Sequence, residues 1–463
     1  MQYQEQIHAW LAAHEAELLA DLTQLISIRS VQGAAQPDAP FGEEPARALG
    51  TMLEFCEKYG FSTDNVEWYA GSADLNEKAS KLGVLAHLDV VPEGEGWLHD
   101  PYQMTYEPET DKLIGRGTSD DKGPAMAALY AMRAVKELQI PMAHGVRLIL
   151  GADEENGSAD LAYYMQKRTL PPMVFTPDGD YPVITLEKGM LRLRLTADFT
   201  DGRSQVVSLR AGETVNAVPA AAEAVVRGVS LKTFLATRVK DYPGTVIASR
   251  EEDGLLHIIV DGRNAHASTP EQGKNALTLL LELLSALPLG GEQGKTIRRL
   301  SELYPYGETD GTALGIAASD EISGALTLVM SVIEMDENDM TAWNDIRFPV
   351  CTTGETIIKK LKQTVSPVSV ETVLCDAPHH TDENSPFVRT LLHVYEAVTE
   401  QKGKCLAIGG GTYVHHIEGG VAFGATFPGE DVNMHGAEEF IRKSHLLLDA
   451  EMMALAMIEL CKG

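Results

Sequence analysis

The sequence predicts an α/β protein in which one discontinuous α/β domain, with a mixed, mainly parallel sheet, carries an inserted α+β domain. Short apolar runs alternate with amphipathic segments over residues 1–186, as expected for strands and helices packed in layers. Over residues 187–385 apolar and polar residues alternate, as in half-exposed antiparallel strands. The first pattern returns over residues 386–463. A chain of 463 residues is also longer than one hydrophobic core usually supports.

Hydrophobic periodicity predicts the elements in chain order. Before the insert we expect helices over 3–28, 43–58, 122–138 and 159–167, and strands over 66–68, 81–88, 145–150 and 173–176. In the insert we expect strands over 190–199, 245–249, 255–261, 325–334, 339–350 and 369–375, and helices over 220–226, 275–287, 296–303 and 355–363. After it we expect helices over 387–400 and 437–460, a helix opened by residues 409–412, and strands over 405–408 and 421–427. The order recurs within the insert, which predicts two similar halves, about 187–290 and 291–385.

Composition excludes several classes of function. The formal net charge of −29 argues against nucleic-acid binding, which requires a basic face. The sequence has no apolar run long enough to span a membrane, and its first residues form an amphipathic pattern rather than a signal peptide. The five widely spaced cysteines predict reduced, buried thiols in a cytoplasmic protein.

Imidazole and carboxylate side chains follow the predicted strands of the α/β part. In such folds ligands bind beyond the carboxyl ends of the strands, so these groups are expected to converge. Carboxylates gathered so closely repel one another and need a cation, and mixed nitrogen and oxygen ligands suit Zn²⁺, Mn²⁺ or Co²⁺. The candidate ligands are His87, Asp89, Asp120, Asp121, Glu154, Glu155, Asp178, Asp180 and His435.

Each of these residues has a simpler interpretation when it is taken alone. His87 is then a structural histidine at a strand end, Asp120 a helix cap, and Glu154 with Glu155 a solvated loop. The whole set at strand ends of one domain favours a metal site instead.

Several motifs resemble the di-zinc metallopeptidase family that includes carnosinase, aminoacylase, succinyl-diaminopimelate desuccinylase and the bacterial dipeptidase PepV. The matching segments are LAHLDVVP, GWLHDPY, GRGTSDDKGP, ADEENGS, PDGDYP, AHASTPEQGKNA, NDIRFP, GGGTY and VNMHGAEE, which run from one end of the chain to the other. Val414-His415, Gly436 and Glu438 depart from the pattern of the PepV-like branch. These departures leave the fine specificity near the substrate carboxylate open.

The resemblance implies a role for each metal-site residue. Asp120 would bridge two zinc ions, with Mn²⁺ or Co²⁺ as possible substitutes, and its peptide bond to Asp121 would be cis. Asp89 would orient His87, and Glu154 would be the general base that takes a proton from the metal-bound water and delivers it to the leaving amine. The five implied metal ligands are His87, Asp120, Glu155, Asp178 and His435.

The resemblance also implies substrate-binding residues. His266 in the insert would polarise the scissile carbonyl. Taken alone, however, it is a surface histidine in a turn. The implied carboxylate-binding residues are Asn216, Arg347, Gly410, Gly411 and Thr412.

The length of the insert identifies the branch. It is about twice as long as in dimeric members of the family, which borrow a histidine from a partner subunit. A PepV-like monomer is therefore expected, with His266 acting within its own chain. Residues 1–186 with 386–463 would form the catalytic domain, and residues 187–385 the lid domain.

The function that this resemblance implies is metal-dependent hydrolysis of unblocked dipeptides, β-alanyl dipeptides included, by a cytoplasmic metallo-dipeptidase. Two alternatives remain open: deacylation or desuccinylation of N-acyl amino acids, and metal binding without catalysis. An acceptor for the substrate ammonium, such as Asp121 or a nearby carboxylate, would favour the dipeptidase. An intact Glu154 argues against a protein that only binds metal.

Overall fold

The computed structural model describes residues 1–238 and 240–462 and divides into two compact units. Unit 1 comprises Met1–Leu186, His379–Leu406 and Gly411–Gly463, and unit 2 comprises Glu187–Pro378 and Ala407–Gly410. The α/β class predicted from the sequence is confirmed. The assignment of residues 187–385 to a lid domain with two similar halves stays a prediction.

Most helices lie close to the predicted positions, and α5 had not been predicted. Tyr413–His416 forms a single 3₁₀ turn where the sequence predicted a helix after the glycines. The α-helices are α1 Gln4–Ile26, α2 Glu43–Lys58, α3 Lys122–Glu137, α4 Ala159–Lys167, α5 Leu231–Thr237, α6 Ala276–Ser285, α7 Gly291–Leu303, α8 Gly354–Thr364, α9 Pro386–Thr399 and α10 Lys443–Cys461.

The strands alternate with these helices along the chain. In unit 1 and at its boundary they are β1 Ser62–Val66, β2 Ala70–Asp74, β3 Ser80–His87, β4 Thr105–Glu107, β5 Lys112–Ile114, β6 Gly145–Gly151, β7 Met173–Thr176 and β8 Val183–Glu187. In unit 2 they are β9 Gly189–Asp198, β10 Val206–Ala211, β11 Ala217–Val218, β12 Ala221–Arg227, β13 Val246–Glu252, β14 Leu255–Asp261, β15 Ala265–His266, β16 Ser319–Asp320, β17 Gly324–Ala325, β18 Thr327–Asp336, β19 Asp339–Phe348 and β20 Ser369–Asp376. The chain then adds β21 His379–His380, β22 Cys405–Ile408, β23 Val421–Ala422 and β24 Phe440–Arg442.

Unit 1 is built on a mixed sheet with the strand order β1-β2-β6-β3-β7-β23-β8-β21, and β22 pairs with β8. The neighbours β6, β3, β7 and β23 run parallel, whereas β1 and β2 are antiparallel to their partners. Strand β3 is buried from Leu82 to His87, as expected for a central strand covered on both faces. The carboxyl ends of β3, β6 and β7 therefore meet at one edge of the sheet.

Helices α3 and α10 form the apolar centre of unit 1, where they pack against each other and against α1. Almost every residue of α3 is buried, and buried residues lie on all sides of α10 as well. A helix that is apolar on all sides must be enclosed by other elements. Among the described residues, no helix combines the length and the apolar character that a membrane span needs.

Unit 2 contains one eight-stranded antiparallel sheet with the order β13-β14-β12-β10-β18-β19-β9-β20. Strand β9 shows the predicted alternation, with Leu191, Leu193 and Leu195 buried on one face. Helices α6 and α7 pack against each other, and their side chains join the core beneath this sheet. Strand β9, which the sequence assigned to the first half of the insert, lies between β19 and β20 from the second half.

The helix predicted over residues 220–226 is wrong, because this segment is strand β12. Its alanines favour a helix on intrinsic propensity, but β12 hydrogen-bonds to β10 and β14 on either side. Ala222, Ala224 and Val226 point into the core while the residues between them face outwards. Tertiary pairing has overridden local propensity here.

Smaller differences lie elsewhere. The predicted strand 421–427 ends after Ala422, and the last helix begins at Lys443 rather than at residue 437. Cys351 and Cys375 are exposed, because one lies in the turn after β19 and the other on the edge strand β20, so the expectation of buried thiols fails for both.

Candidate metal centre

Three neighbouring strands deliver the candidate ligands to one edge of the unit 1 sheet. His87 is the last residue of β3, and Asp178 lies two residues beyond β7. Strand β6 ends at Gly151 and leads into a 3₁₀ turn, Glu154–Asn156, that carries both glutamates. Parallel strands place their carboxyl ends side by side, so residues distant in sequence meet here.

The side chains form two groups, each able to hold a cation. Ligand atoms of His87, Glu154 and Asp178 lie within 4.8 Å of one another, and so do those of Asp120, Glu155 and His435. His87 Nε2 is 3.7 Å from Asp178 Oδ2, and His435 Nε2 is 3.2 Å from Glu155 Oε1. All five predicted metal ligands are thus brought together, and Glu154 lies among them.

Asp120 links the two groups. Its Oδ1 is 3.0 Å from His87 Nε2, and its Oδ2 is 2.8 Å from His435 Nε2. One carboxylate oxygen therefore faces each group, as a bridging ligand requires. The peptide bond between Asp120 and Asp121 is cis, as the family resemblance implied.

Asp89 lies behind the two groups and contacts both the histidine and the glutamates. His87 Nδ1 is 3.0 Å from the backbone oxygen of Asp89 and 3.5 Å from its Oδ1. The Asp89 carboxylate also accepts the backbone N–H groups of Glu154 and Glu155, each at 3.1 Å. Asp89 therefore orients the imidazole and fixes the turn that carries both glutamates.

Asp121 is fully buried and points away from solvent. Its Oδ2 accepts the backbone N–H of His87 at 3.1 Å. A buried carboxylate that holds the end of β3 is not placed to meet a substrate ammonium, so the suggestion that Asp121 serves this purpose is not supported. Asp180, the remaining strand-end carboxylate, is exposed at its position.

The donor atoms fit a divalent cation. His87 Nε2 and Glu155 Oε1 are buried, and neither has an aligned hydrogen-bond partner among the described residues. Buried polar atoms are normally satisfied, so two such atoms facing other ligand atoms indicate a bound ion. Imidazole nitrogens combined with carboxylate oxygens suit zinc and similar transition metals.

The pKa shifts of these side chains also fit a site for a divalent cation. Burial, together with the charges of Asp120 and Glu155, raises the pKa of Asp178 to about 7, and burial raises the pKa of Glu154 well above its usual range. Burial also opposes ionisation of Asp120, but interactions with His435 and His87 hold its pKa well below the ordinary value. Burial lowers the pKa of His435, yet Asp120 and Glu155 outweigh it and raise that pKa to about 11. A cation among these groups would supply the compensating positive charge.

In unit 2, Asn216 and His266 are neighbours. The backbone oxygen of Asn216 accepts the N–H of Ala267, and β11 pairs with β15 so that Ala217 lies opposite His266. The N–H of Ser268 donates to His266 Nδ1 at 3.2 Å. Because Nδ1 accepts, the neutral ring carries its proton on Nε2, which is the donor that polarising a carbonyl requires.

Arg347 is buried, and its side chain is already bound within unit 2. Its Nε and Nη2 donate to the two carboxylate oxygens of Asp345, at 2.6 and 3.1 Å, and its Nη1 donates to the backbone oxygen of Gly409 at 2.8 Å. This arrangement fixes the segment that leads to Gly410. The predicted role of Arg347 in binding a carboxylate stays a prediction.

The glycine-rich turn continues into unit 1 at Gly411 and Thr412. Thr412 caps the 3₁₀ turn, and its hydroxyl accepts the N–H of Val414. Tyr413 is buried and donates a hydrogen bond to Asp160. The Tyr413 ring also meets the His87 ring edge-on, with centroids 6.1 Å apart. The predicted role of the turn in carboxylate binding stays a prediction.

Sequence reasoning missed two residues beside the metal groups, Arg116 and Glu439. Both are buried, and they form an ion pair between the loop that carries Asp120 and the loop that carries His435. Arg116 lies in the family motif GRGTSDDKGP and Glu439 in VNMHGAEE. The available signal was the opposite charge of Arg116 and Glu439, each of which lies in a motif that also supplies a metal ligand.

The mixed α/β fold and the clustered imidazole and carboxylate groups together define a metallohydrolase. The model of "Peptidase family M20/M25/M40" matches residues 83–459, and the chain belongs to this family. It is therefore a metallopeptidase, a peptide-bond hydrolase dependent on a divalent metal, which confirms the resemblance seen in the motifs.

Relatives match over nearly the whole chain. The "Putative dipeptidase YtjP" of Bacillus subtilis is 35% identical over 456 residues, which cover 96% of this chain and 97% of that protein. The "Beta-Ala-Xaa dipeptidase" of Lactobacillus delbrueckii subsp. lactis is 33% identical and covers 97% of both chains. The structure of human carnosine dipeptidase 1 shares the fold with a TM-score of 0.63, at 15% identity over 100% of this chain and 99% of that one.

Proposed function

We propose that this protein is a dipeptidase that uses two zinc ions to hydrolyse unblocked dipeptides, β-alanyl dipeptides included. The observation that carries the proposal is the position of Asp120, whose two carboxylate oxygens each face a histidine from a different group. Activity on β-alanyl dipeptides is supported by the name of the Lactobacillus relative, whose match covers 97% of this chain.

In this proposal the ions are held by the five predicted ligands His87, Asp120, Glu155, Asp178 and His435. Two bound ions would activate a water molecule and polarise the scissile carbonyl. Glu154 accepts the proton of the attacking water and passes it to the leaving amine. Burial raises the pKa of Glu154, which favours its taking up a proton.

Asp89 positions Glu154 by accepting its backbone N–H. The residues of the insert are proposed to bind the substrate: His266 donates from Nε2 to the carbonyl oxygen, while Asn216 and Arg347 bind the carboxylate end. Gly410, Gly411 and Thr412 offer N–H and hydroxyl groups to that same carboxylate. We further propose a monomer located in the cytoplasm, with residues 187–385 acting as a lid.

Two measurements test this function. In the first, the zinc-loaded enzyme is offered one dipeptide free at both ends, blocked at the amine, or blocked at the carboxylate. A dipeptidase loses activity with either block, whereas activity on the N-acylated substrate would favour a deacylase. Size-exclusion chromatography with light scattering checks the monomer, and a stable dimer at micromolar concentration contradicts it.

The second measurement is the substitution Glu154→Gln. As general base, Glu154 contributes about 10²–10⁴-fold to kcat, so kcat should fall by that factor while two zinc ions remain bound. Metal content is counted by mass spectrometry of the dialysed protein. Loss of one ion would instead make Glu154 a ligand of the group that it shares with His87 and Asp178. Glu54→Gln on the exposed face of α2 is the matched control and should change neither quantity.

A further inference from the structure

We propose that Glu439 and Arg116 are positioning residues that hold Asp120 and His435 in place, and so set the affinity of the cation between those two side chains. The inference rests on the proposed function, because it presumes the two-ion site. Neither residue belongs to either of the two cation groups. They would act through the backbone of Asp120 and His435.

Glu439 anchors the loop that carries Asp120. It is fully buried, and its Oε1 lies within hydrogen-bond distance of three backbone donors of the loop: the N–H of Gly117 at 2.9 Å, of Ser119 at 3.1 Å and of Asp120 at 3.3 Å. The Ser119 hydroxyl adds a fourth donor at 3.2 Å. Backbone N–H groups that converge on one oxygen form an anion-binding concavity. The backbone of Asp120 is thereby fixed in position.

The loop can curve around Glu439 Oε1 because a glycine, Gly117, lies at its start. Gly117 has φ +88°, a conformation that other residues rarely adopt. A Cβ atom there would also lie 3.0 Å from the Lys122 side chain and 3.1 Å from Val90. The sequence Gly-Arg-Gly before the aspartates therefore has a structural reason, which is to wrap the backbone around the Glu439 carboxylate.

Arg116 anchors the second loop. Its Nη1 donates to Glu439 Oε2 at 2.5 Å, which neutralises the buried carboxylate. Its Nη2 lies 3.3 Å from the backbone oxygen of His435 and 3.1 Å from that of Gly436. The same nitrogen lies 3.4 and 3.3 Å from the backbone oxygens of Pro92 and Glu93. One guanidinium thus joins the His435 loop to the loop that follows β3.

His435 needs such support. It lies outside the helices and strands, 44% of its side-chain surface is exposed, and its φ of +61° is uncommon for a residue with a side chain. Rare backbone conformations persist only where surrounding contacts determine them. The Arg116 contacts at the carbonyl of His435 fix this peptide. The Glu439 backbone oxygen also accepts the N–H of Gly115 at 2.9 Å, just before strand β24 begins.

The alternative is a buried ion pair that only stabilises the fold. Buried pairs are weak evidence for stability, because desolvation offsets most of their attraction. A stabilising pair and a positioning pair differ in one measurable respect. A positioning pair weakens the cation held by Asp120 and His435 more than the other cation, whereas a stabilising pair affects unfolding and leaves the affinities of the folded protein unchanged.

The test is zinc titration of the chelator-treated full chain, with a competing chromophoric chelator. Glu439→Gln keeps the shape of the side chain but removes the charge and replaces one acceptor oxygen by a donor. We expect the zinc affinity of the group with His435 to fall about 10–100-fold, as is usual when support of a metal ligand is lost. The affinity of the other group, which shares only the bridging Asp120, should fall less. The weakened affinity should be the one that His435→Ala abolishes.

The matched control is Glu451→Gln. Glu451 is also buried in unit 1, where it accepts hydrogen bonds from Gln4 and His8, away from both cation groups. This substitution should leave both affinities unchanged. Arg116→Lys is the second variant, since it keeps the positive charge but cannot reach all of the carbonyls, and it should weaken the same affinity. If Glu439→Gln does not fold, Arg116→Lys provides the test.

Unchanged zinc affinities in a folded Glu439→Gln or Arg116→Lys protein would overturn the inference. An equal loss at both ions would overturn it as well, since the effect would then be general. If the unsubstituted protein binds fewer than two ions, the proposed function fails first. The two failures are therefore distinguishable within one set of titrations.

Discussion

Asp89 Oδ1 accepts the backbone N–H of Glu154 at 3.1 Å, although 65 residues separate them in sequence. This hydrogen bond ties the residue proposed as general base to the end of the strand that carries His87. Asp89 Oδ2 binds the next N–H, that of Glu155, at the same distance. The geometry of the proposed base and of one proposed ligand therefore depends on one buried carboxylate.

Asp89→Asn should reduce kcat substantially. The amide presents only one acceptor oxygen, so one of the two N–H groups at Glu154 and Glu155 would face an NH₂ donor. Loss of such support typically costs about 10–100-fold in activity or metal affinity. Steady-state kinetics of the zinc-loaded enzyme measures the effect, with Asp38→Asn, on an exposed loop, as control. A variant with the full kcat would show that Asp89 does not position the base.

Removal of the metal should lower the thermal stability of the protein. The proposed ions bind only the folded chain, so ions present at a thousand times their dissociation constant each add about 4 kcal/mol to the free energy of unfolding. Melting curves with and without a chelator measure this. The shift should be smaller for His435→Ala, which lacks one ligand. An equal shift in that variant would mean that His435 holds no ion.

The chelator-treated protein should also show a specific pH dependence. The pKa of Asp178 is raised from 3.8 to about 7, mainly by burial and then by the charge of Asp120. A raised folded-state pKa stabilises the protonated form, so its contribution to the free energy of unfolding is present below about pH 4 and is lost as the pH rises through about 7. Asp178→Asn does not titrate at this position. Between about pH 5 and about pH 8, the melting temperature of Asp178→Asn should therefore rise relative to that of the parent protein.

The control is the same set of melting curves for Asp38→Asn, which removes the charge of an exposed carboxylate. It measures the general effect of losing one negative charge. A constant difference between Asp178→Asn and the parent across this range contradicts the prediction. The zinc-loaded parent should show no such loss, because a bound cation favours the ionised carboxylate.

Ala224→Leu should destabilise unit 2. Ala224 is 1% exposed on strand β12, where helix α6 lies against the sheet. Extra methylene groups in a packed core cost about 1–3 kcal/mol. Urea unfolding of the full chain measures the change, and Glu223→Gln on the opposite, exposed face should stay within about 0.5 kcal/mol. An unchanged midpoint for Ala224→Leu would contradict the buried position.

Long periodic elements could be read from the sequence. Helix α2 matches its predicted bounds because its periodicity agrees with the tertiary fold, and strand β7 matches because a short apolar run is typical of a buried strand. Strand β12 could not be predicted in this way, since its alanines favour a helix and only its neighbours β10 and β14 impose the strand. Two-residue strands such as β11 and β15 carry no periodic signal at all.

The candidate metal groups could be predicted because strand ends and acidic pairs are visible in sequence. His87, Asp120 and His435 are brought together in the expected way. The Arg116–Glu439 pair could not be found by that argument. Its members are 323 residues apart and act on backbone groups, which carry no mark in the sequence.

Unit 1 takes its final helix, α10, and a central parallel strand, β23, from beyond the insert. As the ribosome extends the chain, helix α3 emerges hundreds of residues before α10, against which it packs. The nascent segment before the insert must therefore keep an apolar helix without its partner throughout the synthesis of unit 2. A chain whose translation stops inside the insert has neither His435 nor α10, so an aborted product lacks part of the proposed zinc site.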